Sequence, residues 1–199
     1  MKETDLTAAG RALPRPAAEL LERVAERAAG EGLVDISYGE MDSPLGPLLL
    51  AVTDRGLVRL SYTEYNPDAL QDLARKLSPR IMRRPAQTDV ARRQLDEYFG
   101  RRRRDFDMPV DWALIHGFGR EVLRFTAAIP YGQVSTYREV AAGAGNERAS
   151  RAAGNALGNN PIPIVIPCHR VLRTGGGLGG YTSGIHRKQL LLELEGATP

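Results

Sequence analysis

The sequence predicts an α+β protein: a small sheet with helices packed on it in the first half, and a mostly helical second half. Short apolar segments that alternate with polar residues cluster before residue 63, and turn residues separate them. After residue 115 the apolar residues recur at helical spacing, and Gly, Asn or Pro interrupts the pattern. A chain of 199 residues is long enough to bury a substantial core.

In the first half, three alternating segments predict strands at residues 34–38, 48–52 and 57–62. The last two flank Asp54-Arg55-Gly56, which is typical of a hairpin turn. A further short strand is expected at Ile81-Met82. Helices are predicted at residues 16–29, ended by Gly30, from Asn66-Pro67 to Leu77, and from a Thr88 cap to Gly100.

In the second half, helices are predicted at residues 118–128, 136–144 after a Ser135 cap, 147–157 after an Asn146 cap, and 185–195 after a Ser183 cap. The last of these is expected to bury Leu190, Leu191 and Leu194. The middle two have the spacing of a helix-turn-helix unit, and a plain helix hairpin in the core is the alternative. We divide the chain into a tail and extra helix (1–33), an α/β subdomain (34–107) and a C-terminal domain (108–199), with residues 106–112 as the linker.

Composition excludes several classes of protein. The single cysteine rules out an intramolecular disulfide and a cysteine-based zinc cluster, and the three histidines show no metal-ligand spacing. The polar start and the lack of a long apolar segment predict no signal peptide and no membrane span. We therefore expect an intracellular protein, cytoplasmic or, in a eukaryote, nuclear. Residues 115–199 carry nine Lys and Arg against five Asp and Glu, a bias that suits a polyanionic partner or a solvated surface equally.

The only cysteine, Cys168, ends a Pro-rich apolar stretch, residues 161–167, that predicts a stiff and extended backbone. His169 and Arg170 follow it at once, and cationic or basic neighbours favour a reactive thiolate. A buried structural cysteine is the alternative. The run Arg101-Arg102-Arg103-Arg104 similarly suits either phosphate contacts or a solvated turn.

Several spaced motifs occur together and in order. They are Ile129-Pro130-Tyr131-Gly132 through Tyr137, Arg151-Ala152-x-Gly154, Asn160-Pro161, Pro-Cys-His-Arg-Val at 167–171, Gly-Leu-Gly-Gly-Tyr at 177–181, Lys188, and Leu191-Leu192-x-x-Glu195. In these residues the chain resembles the O6-alkylguanine-DNA alkyltransferases, closely from about residue 95 onward and loosely before it. It departs from the family pattern at Gly119 and Leu123, which concern packing rather than chemistry.

The resemblance implies a single-turnover DNA repair protein that transfers an alkyl group from O6 of guanine, or O4 of thymine, to its own cysteine. It implies an RNase H-like N-terminal subdomain, base flipping from duplex DNA, binding through the minor groove, a monomer, and neither a cofactor nor a metal. The cysteine-zinc domain of the larger adaptive-response relatives is absent, so the resemblance does not imply their transcriptional role.

The resemblance also implies roles for particular residues. Cys168 is the nucleophile, His169 its base through a water molecule, and Glu195 the group that orients the imidazole. Tyr137 donates to the departing guanine, and Asn160 and Lys188 hold the Cys168 loop. DNA contacts fall at Arg151, which enters the gap left by the base, and at Tyr137, Arg138, Asn146 and Thr174. The pocket is formed by Pro163, Val171, Tyr181 and Thr182.

Two other functions fit parts of the pattern. A non-catalytic lesion binder of the alkyltransferase-like class replaces the nucleophile, and Cys168 argues against it. A cysteine hydrolase with a Cys-His-Glu set needs Cys168 and His169 to face each other. Neighbours on an extended strand point to opposite sides, so the predicted strand argues against that arrangement.

Overall fold

The computed structural model describes residues 18–197, which divide into two compact units, one up to Leu33 and one from Val34 onward. The first unit contains helix α1 (Ala18–Gly30), where the sequence predicts a helix, and an Arg27–Glu31 ion pair spans its last turn at 3.0 Å. The start of that predicted helix and the tail before it lie outside the described residues. None of the helices from Ala18 to Ala197 is long and apolar enough to cross a membrane.

The second unit begins with a four-stranded sheet in the order β3-β2-β1-β4. Its strands are β1 (Ile36–Met41), β2 (Leu48–Thr53), β3 (Gly56–Tyr62) and β4 (Ile81–Arg83). Strands β1 and β2, and β2 and β3, are antiparallel, whereas β4 runs parallel to β1. The predicted hairpin through Asp54-Arg55 is therefore confirmed.

Each face of this sheet is covered. On one face, Leu73 of α2 (Ala69–Lys76) packs with Ile36, Ala51 and Val58. On the other face, Leu48, Leu50 and Tyr62 belong to the large core that α3 (Asp89–Phe99) and the second half of the chain share. In β2 the residues of alternating position thus enter two separate cores, as the period-two pattern predicts. In β3 a register shift against β2 interrupts the alternation, so that Val58 and Leu60 lie in different cores.

Thr88 precedes α3, as predicted, but it does not cap the helix with its side chain. Its hydroxyl donates instead to the Pro85 carbonyl at 2.7 Å, inside the short 3-10 turn Pro85–Thr88. The cap prediction was wrong because the hydroxyl of the buried Thr88 donates to a carbonyl that precedes it in the chain and does not accept from an N–H of α3.

The predicted linker is part of the sheet edge. The Leu57 N–H donates to the Pro109 carbonyl and the Asp111 N–H to the Leu57 carbonyl, both at 2.9 Å. Gly56 lies at φ +125°, and a Cβ there would stand 2.2 Å from the Pro109 oxygen. Only glycine allows the linker this approach to β3.

The second half contains α4 (Gly117–Ala127), α5 (Tyr137–Gly143), α6 (Ser150–Gly158) and α7 (Ile185–Glu195), with a parallel pair, β5 (Ser135–Thr136) and β6 (Val171–Leu172). The α5 cap is Thr136, in a capping box with Glu139, and not Ser135, whose hydroxyl donates to the Glu139 carboxylate at 3.0 Å. Asn146 does cap the next turn, by accepting from the Arg148 N–H. The unit α5–turn–α6 has the predicted helix-turn-helix order.

Helix α7 has the predicted bounds but a different N-cap residue. Gly184, at φ +101°, occupies the N-cap position that we predicted for Ser183. Of the three leucines predicted to be buried, Leu191 is buried and Leu194 is half-buried against the large core. Leu190 is 45% exposed, and Leu192 is buried in its place.

Candidate active site

The segment that carries the cysteine is a compact loop, and the prediction of an extended strand through it was wrong. The Ile166 N–H donates to the Ile162 carbonyl at 2.9 Å, which closes a turn. Ile164 inside this turn has φ +74°, a strained value for a β-branched residue. Prolines exclude a helix here, but they are equally compatible with tight turns.

Cys168, His169 and Arg170 then form one turn of 3-10 helix. The reason given above for separating Cys168 from His169, strand alternation, therefore does not apply. Their side chains still diverge, because successive residues of a 3-10 helix are about 120° apart.

Asn160 holds the loop in this shape from inside. Its Nδ2 donates to the Ile166 carbonyl at 2.8 Å, and its Oδ1 accepts from the Ile162 N–H at 3.0 Å. One side chain thus satisfies both backbone groups at the two ends of the turn before Cys168.

Cys168 is buried, with 8% of the residue exposed, and burial raises the pKa of its thiol. A hydrogen bond from Asn160, the charge of Lys188 and the backbone N–H groups of Cys168 and His169 oppose that effect. Lys188 is fully buried and donates to the Val171 carbonyl at 2.5 Å. Burial lowers the pKa of Lys188 to about 8, so its positive charge near the thiol depends on pH close to neutrality.

Glu195, at the end of α7, is the centre of a buried polar cluster. Its carboxylate accepts from the Tyr98 hydroxyl at 2.7 Å and from Arg170 Nε and Nη2 at 2.8 Å each, and His169 Nε2 lies 2.9 Å from it. Burial alone would raise the pKa of Glu195, but hydrogen bonds from His169 and Arg170 outweigh burial and hold it below its ordinary value. The group is therefore a carboxylate, paired with the fixed charge of Arg170.

This pairing assigns the tautomer of His169. Burial lowers the pKa of His169, which keeps the ring neutral. A neutral ring that faces a carboxylate through Nε2 must carry its hydrogen there, which leaves the lone pair on Nδ1. Nδ1 is buried and has no hydrogen-bond partner among residues 18–197. The ring is thus oriented and has one nitrogen available as a proton acceptor.

A cavity of about 910 Å³ opens beside Cys168, a volume within the range of small-molecule sites. Seven of the predicted site residues line it, namely Tyr137, Arg151, Asn160, Pro163, Cys168, Tyr181 and Thr182. His169, Lys188 and Glu195 stand behind Cys168 and do not line the cavity. Val171 does not line it either, and its carbonyl already accepts from Lys188.

Tyr137, the first residue of α5, lies between two glycines. The ring is 3.7 Å from where a Cβ on Gly154 would be, and a Cβ on Gly179 would come within 2.7 Å of its hydroxyl. The small residues of α6 and of the Gly-rich loop therefore serve to admit this ring at the cavity wall. The hydroxyl lies 3.5 Å from the Gly180 carbonyl, a long contact that leaves it able to bind another group.

The side chains predicted to contact DNA differ in whether they already bind other residues of the protein. Arg151 is exposed at the start of α6 and makes no hydrogen bond or ion pair with the described residues. Arg138 is ion-paired with Glu147, and the Asn146 side chain accepts from a backbone N–H. Thr174 is exposed in the turn after β6, away from the cavity. In the arginine run, Arg103 pairs with Glu97 and Arg104 lies over the Tyr131 ring, which indicates a surface turn.

Two residues of the site had no signal in the sequence. Tyr98 lies 97 residues before the carboxylate it binds, and Tyr62 reaches the cavity wall from β3. A third, Arg170, was predicted as a cationic neighbour of Cys168, and the structure shows it as the bidentate partner of Glu195. Contacts between distant segments leave no local pattern.

Among residues 18–197, no three His, Cys, Asp or Glu side chains come together in a way that would hold a metal ion. The site therefore offers a thiol, an oriented imidazole and a buried carboxylate beside a cavity. Such a set can deprotonate the thiol and direct it at an electrophilic carbon.

Two family models match the chain, one for each half. Residues 36–112 match the ribonuclease-like domain of 6-O-methylguanine DNA methyltransferase, and residues 117–197 match the DNA binding domain of the same family. Together they span the second unit almost completely.

Full-length relatives agree with the models. A methylated-DNA--protein-cysteine methyltransferase of Methanosarcina barkeri is 37% identical over 79% of this chain and 96% of its own length. The protein of the same name in Mycobacterium bovis is 37% identical, over 80% and 92%. The crystal structure of the O6-methylguanine methyltransferase of Mycobacterium tuberculosis superposes with a TM-score of 0.69 and 38% identity, over 81% and 93%. A structure of that organism's OGT in complex with DNA matches with the same score, 37% identity and coverage of 81% and 95%.

Proposed function

Because the chain belongs to the 6-O-methylguanine DNA methyltransferase family, we propose that it repairs DNA by moving an alkyl group from O6 of guanine, or O4 of thymine, onto Cys168. The observation that carries the proposal is the position of the only cysteine. It lies on the wall of a cavity of small-molecule size, in front of the His169–Glu195 pair.

In the reaction, His169 Nδ1 takes the thiol proton through a water molecule while Glu195 stabilises the resulting imidazolium. The thiolate then attacks the alkyl carbon. A sulfur–carbon bond forms, the bond from carbon to O6 breaks, and its electron pair remains on the base. Tyr137 donates to the guanine as that charge develops, and the base finally takes up one proton. Cys168 becomes a thioether, so each molecule reacts once.

The base must leave the duplex to reach a buried thiol. Tyr137 would crowd the phosphate, and Arg151 would occupy the gap in the stack from the minor-groove side. The free, exposed state of Arg151 on a helix of small residues supports this. Pro163 and Tyr181 would flank the base, the Thr182 backbone would bind O6, and the Cys168 carbonyl would accept from the exocyclic amine. Val171, which does not line the cavity, would contribute mainly packing.

Further DNA contacts are proposed for Arg138, Asn146 and Thr174, of which Arg138 must first give up Glu147. Asn160 and Lys188 would keep the loop and the thiol in place. The division into an α/β part (34–107) and a reacting part (108–199), like the monomeric state, also stays a prediction.

The test is the mass of the intact protein after incubation with duplex DNA that carries one O6-methylguanine. We expect the wild type to gain one methylene on the peptide that contains Cys168, and Cys168→Ser to gain nothing. Tight lesion binding by the wild type with no mass gain would instead indicate a damage-flagging protein. Repeated turnover of an ester or peptide would indicate a hydrolase, and either result would refute the proposed function.

A further inference from the structure

Tyr62, the last residue of β3, belongs to the half of the chain for which we predicted no chemistry. It is 1% exposed, yet it lines the same cavity as Cys168. Burial raises the pKa of Tyr62 to about 12, and the charge of Cys168 contributes to that rise, so the phenol lies within electrostatic reach of the sulfur. At neutral pH this hydroxyl always carries its proton.

The hydroxyl of Tyr62 meets the hydroxyl of Tyr181. This contact lowers the pKa of Tyr62 and raises the pKa of Tyr181, as a hydrogen bond does when Tyr181 is its donor. The proton of Tyr62 then has no acceptor within residues 18–197, although buried polar groups normally have one. A phenol with a free proton beside one thiol places a donor where a negative charge would form.

The Tyr62 ring is held in place from behind by Arg187, at the start of α7. The guanidinium lies 4.8 Å from the Tyr62 ring centre and 4.7 Å from that of Tyr65. It donates to the Leu45 carbonyl at 2.7 Å, the Ser183 carbonyl at 2.9 Å and Glu64 at 2.8 Å. This fixed arginine leaves the ring little freedom, so the direction of the hydroxyl is preorganised.

We propose that the Tyr62 hydroxyl donates a hydrogen bond to the Cys168 thiolate, with Tyr181 donating in turn to Tyr62, so that the N-terminal sheet supplies part of the reaction site. The proposal rests on the proposed function where it concerns methyl transfer from DNA. The hydrogen bond to the thiolate does not depend on a DNA substrate. The other titratable groups around the sulfur are Lys188 on α7 and His169 in the same turn. With Lys188 only partly charged near pH 8 and His169 neutral, neutral donors gain importance.

The test compares wild type and Tyr62→Phe, which loses one oxygen atom and keeps the ring. The rate at which iodoacetamide alkylates Cys168 is followed by intact mass across the pH range, because only the thiolate reacts. A donor to the thiolate lowers the pKa of the thiol, so we expect its loss to raise that pKa by about one unit. Alkylation should then slow about tenfold at neutral pH and recover as pH rises.

Tyr65→Phe is the matched control, since it removes a hydroxyl from the other ring that stacks on Arg187 and should keep the wild-type profile. Tyr181→Phe removes the hydroxyl that donates to Tyr62 and should shift the profile in the same direction as Tyr62→Phe, which keeps the test available if either variant folds poorly. Folded variants of Tyr62 and Tyr181 with an unchanged profile, or a slower rate that high pH does not restore, would overturn the proposal.

Methyl transfer from an O6-methylguanine duplex is measured in parallel. If the wild type transfers no methyl group, the proposed function is refuted. The pH profile of alkylation by iodoacetamide still decides whether Tyr62 donates to the thiolate.

Discussion

At the scale of single residues, the site depends on one buried charge. Glu195 is surrounded by Arg170, His169 and Tyr98, which together satisfy both carboxylate oxygens. The fixed charge of Arg170 keeps Glu195 ionised, and the ionised Glu195 in turn keeps the hydrogen of His169 on Nε2. A change at the carboxylate therefore reaches His169, the proton acceptor that we propose, although Glu195 does not line the cavity.

Glu195→Gln tests this arrangement. Removal of one member of a buried ion pair leaves Arg170 uncompensated, and we expect the free energy of unfolding to fall by about 3–5 kcal/mol at pH 7. The pKa of Glu195 is lowered in the folded state, so its stabilising effect is complete above the unfolded value of about 4.3 and is lost as pH falls below it.

Urea unfolding of both proteins between pH 7 and pH 3 provides the measurement. The difference between wild type and Glu195→Gln should be largest at neutral pH and should shrink on acidification. Because Glu195 raises the pKa of His169, the substitution would also change how His169 titrates, so both proteins carry His169→Gln in this comparison. A difference that stays constant with pH would show that Glu195 is not the ionised centre of the cluster.

At the scale of elements, α5 and α6 present one free arginine next to the cavity. Helix α6 buries Ala153 and Leu157 against the core and leaves its first turn exposed. Arg151 in that turn has no partner among the described residues, whereas Arg138 on α5 is already paired with Glu147. The structure thus distinguishes Arg151, whose side chain is exposed and without an ion-pair partner, from Arg138, which is ion-paired, although the sequence alone does not separate the two.

Arg151→Ala should slow methyl transfer from duplex DNA far more than transfer from a free O6-alkylguanine base. The side chain is proposed to act on the stack that the base leaves, so a substrate without a stack does not need it. Single-turnover rates on the two substrates provide the measurement, and we expect a loss of about tenfold or more on the duplex, equivalent to about 1.4 kcal/mol.

Arg148→Ala is the matched control, since Arg148 is equally exposed three residues earlier in the same turn region. It removes the same charge from the surface and should lower duplex binding only slightly, in a salt-dependent way. Equal losses for the two variants would mean that Arg151 contributes only its charge.

At the scale of the whole second unit, Arg187 joins the sheet-bearing half to the cysteine-bearing half. One guanidinium binds the loop before β2 through Leu45, the loop after β3 through Glu64, and the Ser183 carbonyl in front of α7. The next residue, Lys188, supports the segment after Cys168. The geometry of the reacting half is thus coupled to the sheet through two successive residues.

Arg187→Met should lower the free energy of unfolding by about 1–3 kcal/mol, because it keeps the apolar stem and leaves the buried carbonyls that Arg187 binds without a donor. It should also slow methyl transfer, since Tyr62 loses its support. Chemical unfolding and single-turnover rates check both expectations.

Arg124→Met is the control. Arg124 stacks on Trp112 at 5.9 Å, but its side chain is 53% exposed, so the substitution should lower the free energy of unfolding by less than about 0.5 kcal/mol. Equal effects of the two substitutions would argue against the coupling.

Much of the fold follows from local patterns. Strand alternation, the Asp54-Arg55-Gly56 turn and the Gly stops place most helices and strands within a few residues of their observed bounds. The errors occur where a side chain had two possible partners. Thr136 caps α5 in place of Ser135, and Thr88 binds a carbonyl behind it. The extended backbone predicted before Cys168 was also wrong, because prolines restrict φ to values that are compatible with both an extended chain and a turn.

The sequence by itself determined the α+β class, the family and the residue that we propose as the nucleophile, since the motifs around Cys168 are contiguous or regularly spaced and their chemistry is local. Only the tertiary structure decided which groups surround that nucleophile. Tyr98 and Tyr62 join the site through packing, and Arg187 reaches the sheet through carbonyls that any sequence could offer. Contacts of this kind depend on the positions of distant backbones, and a pattern read along the chain carries no record of those distances.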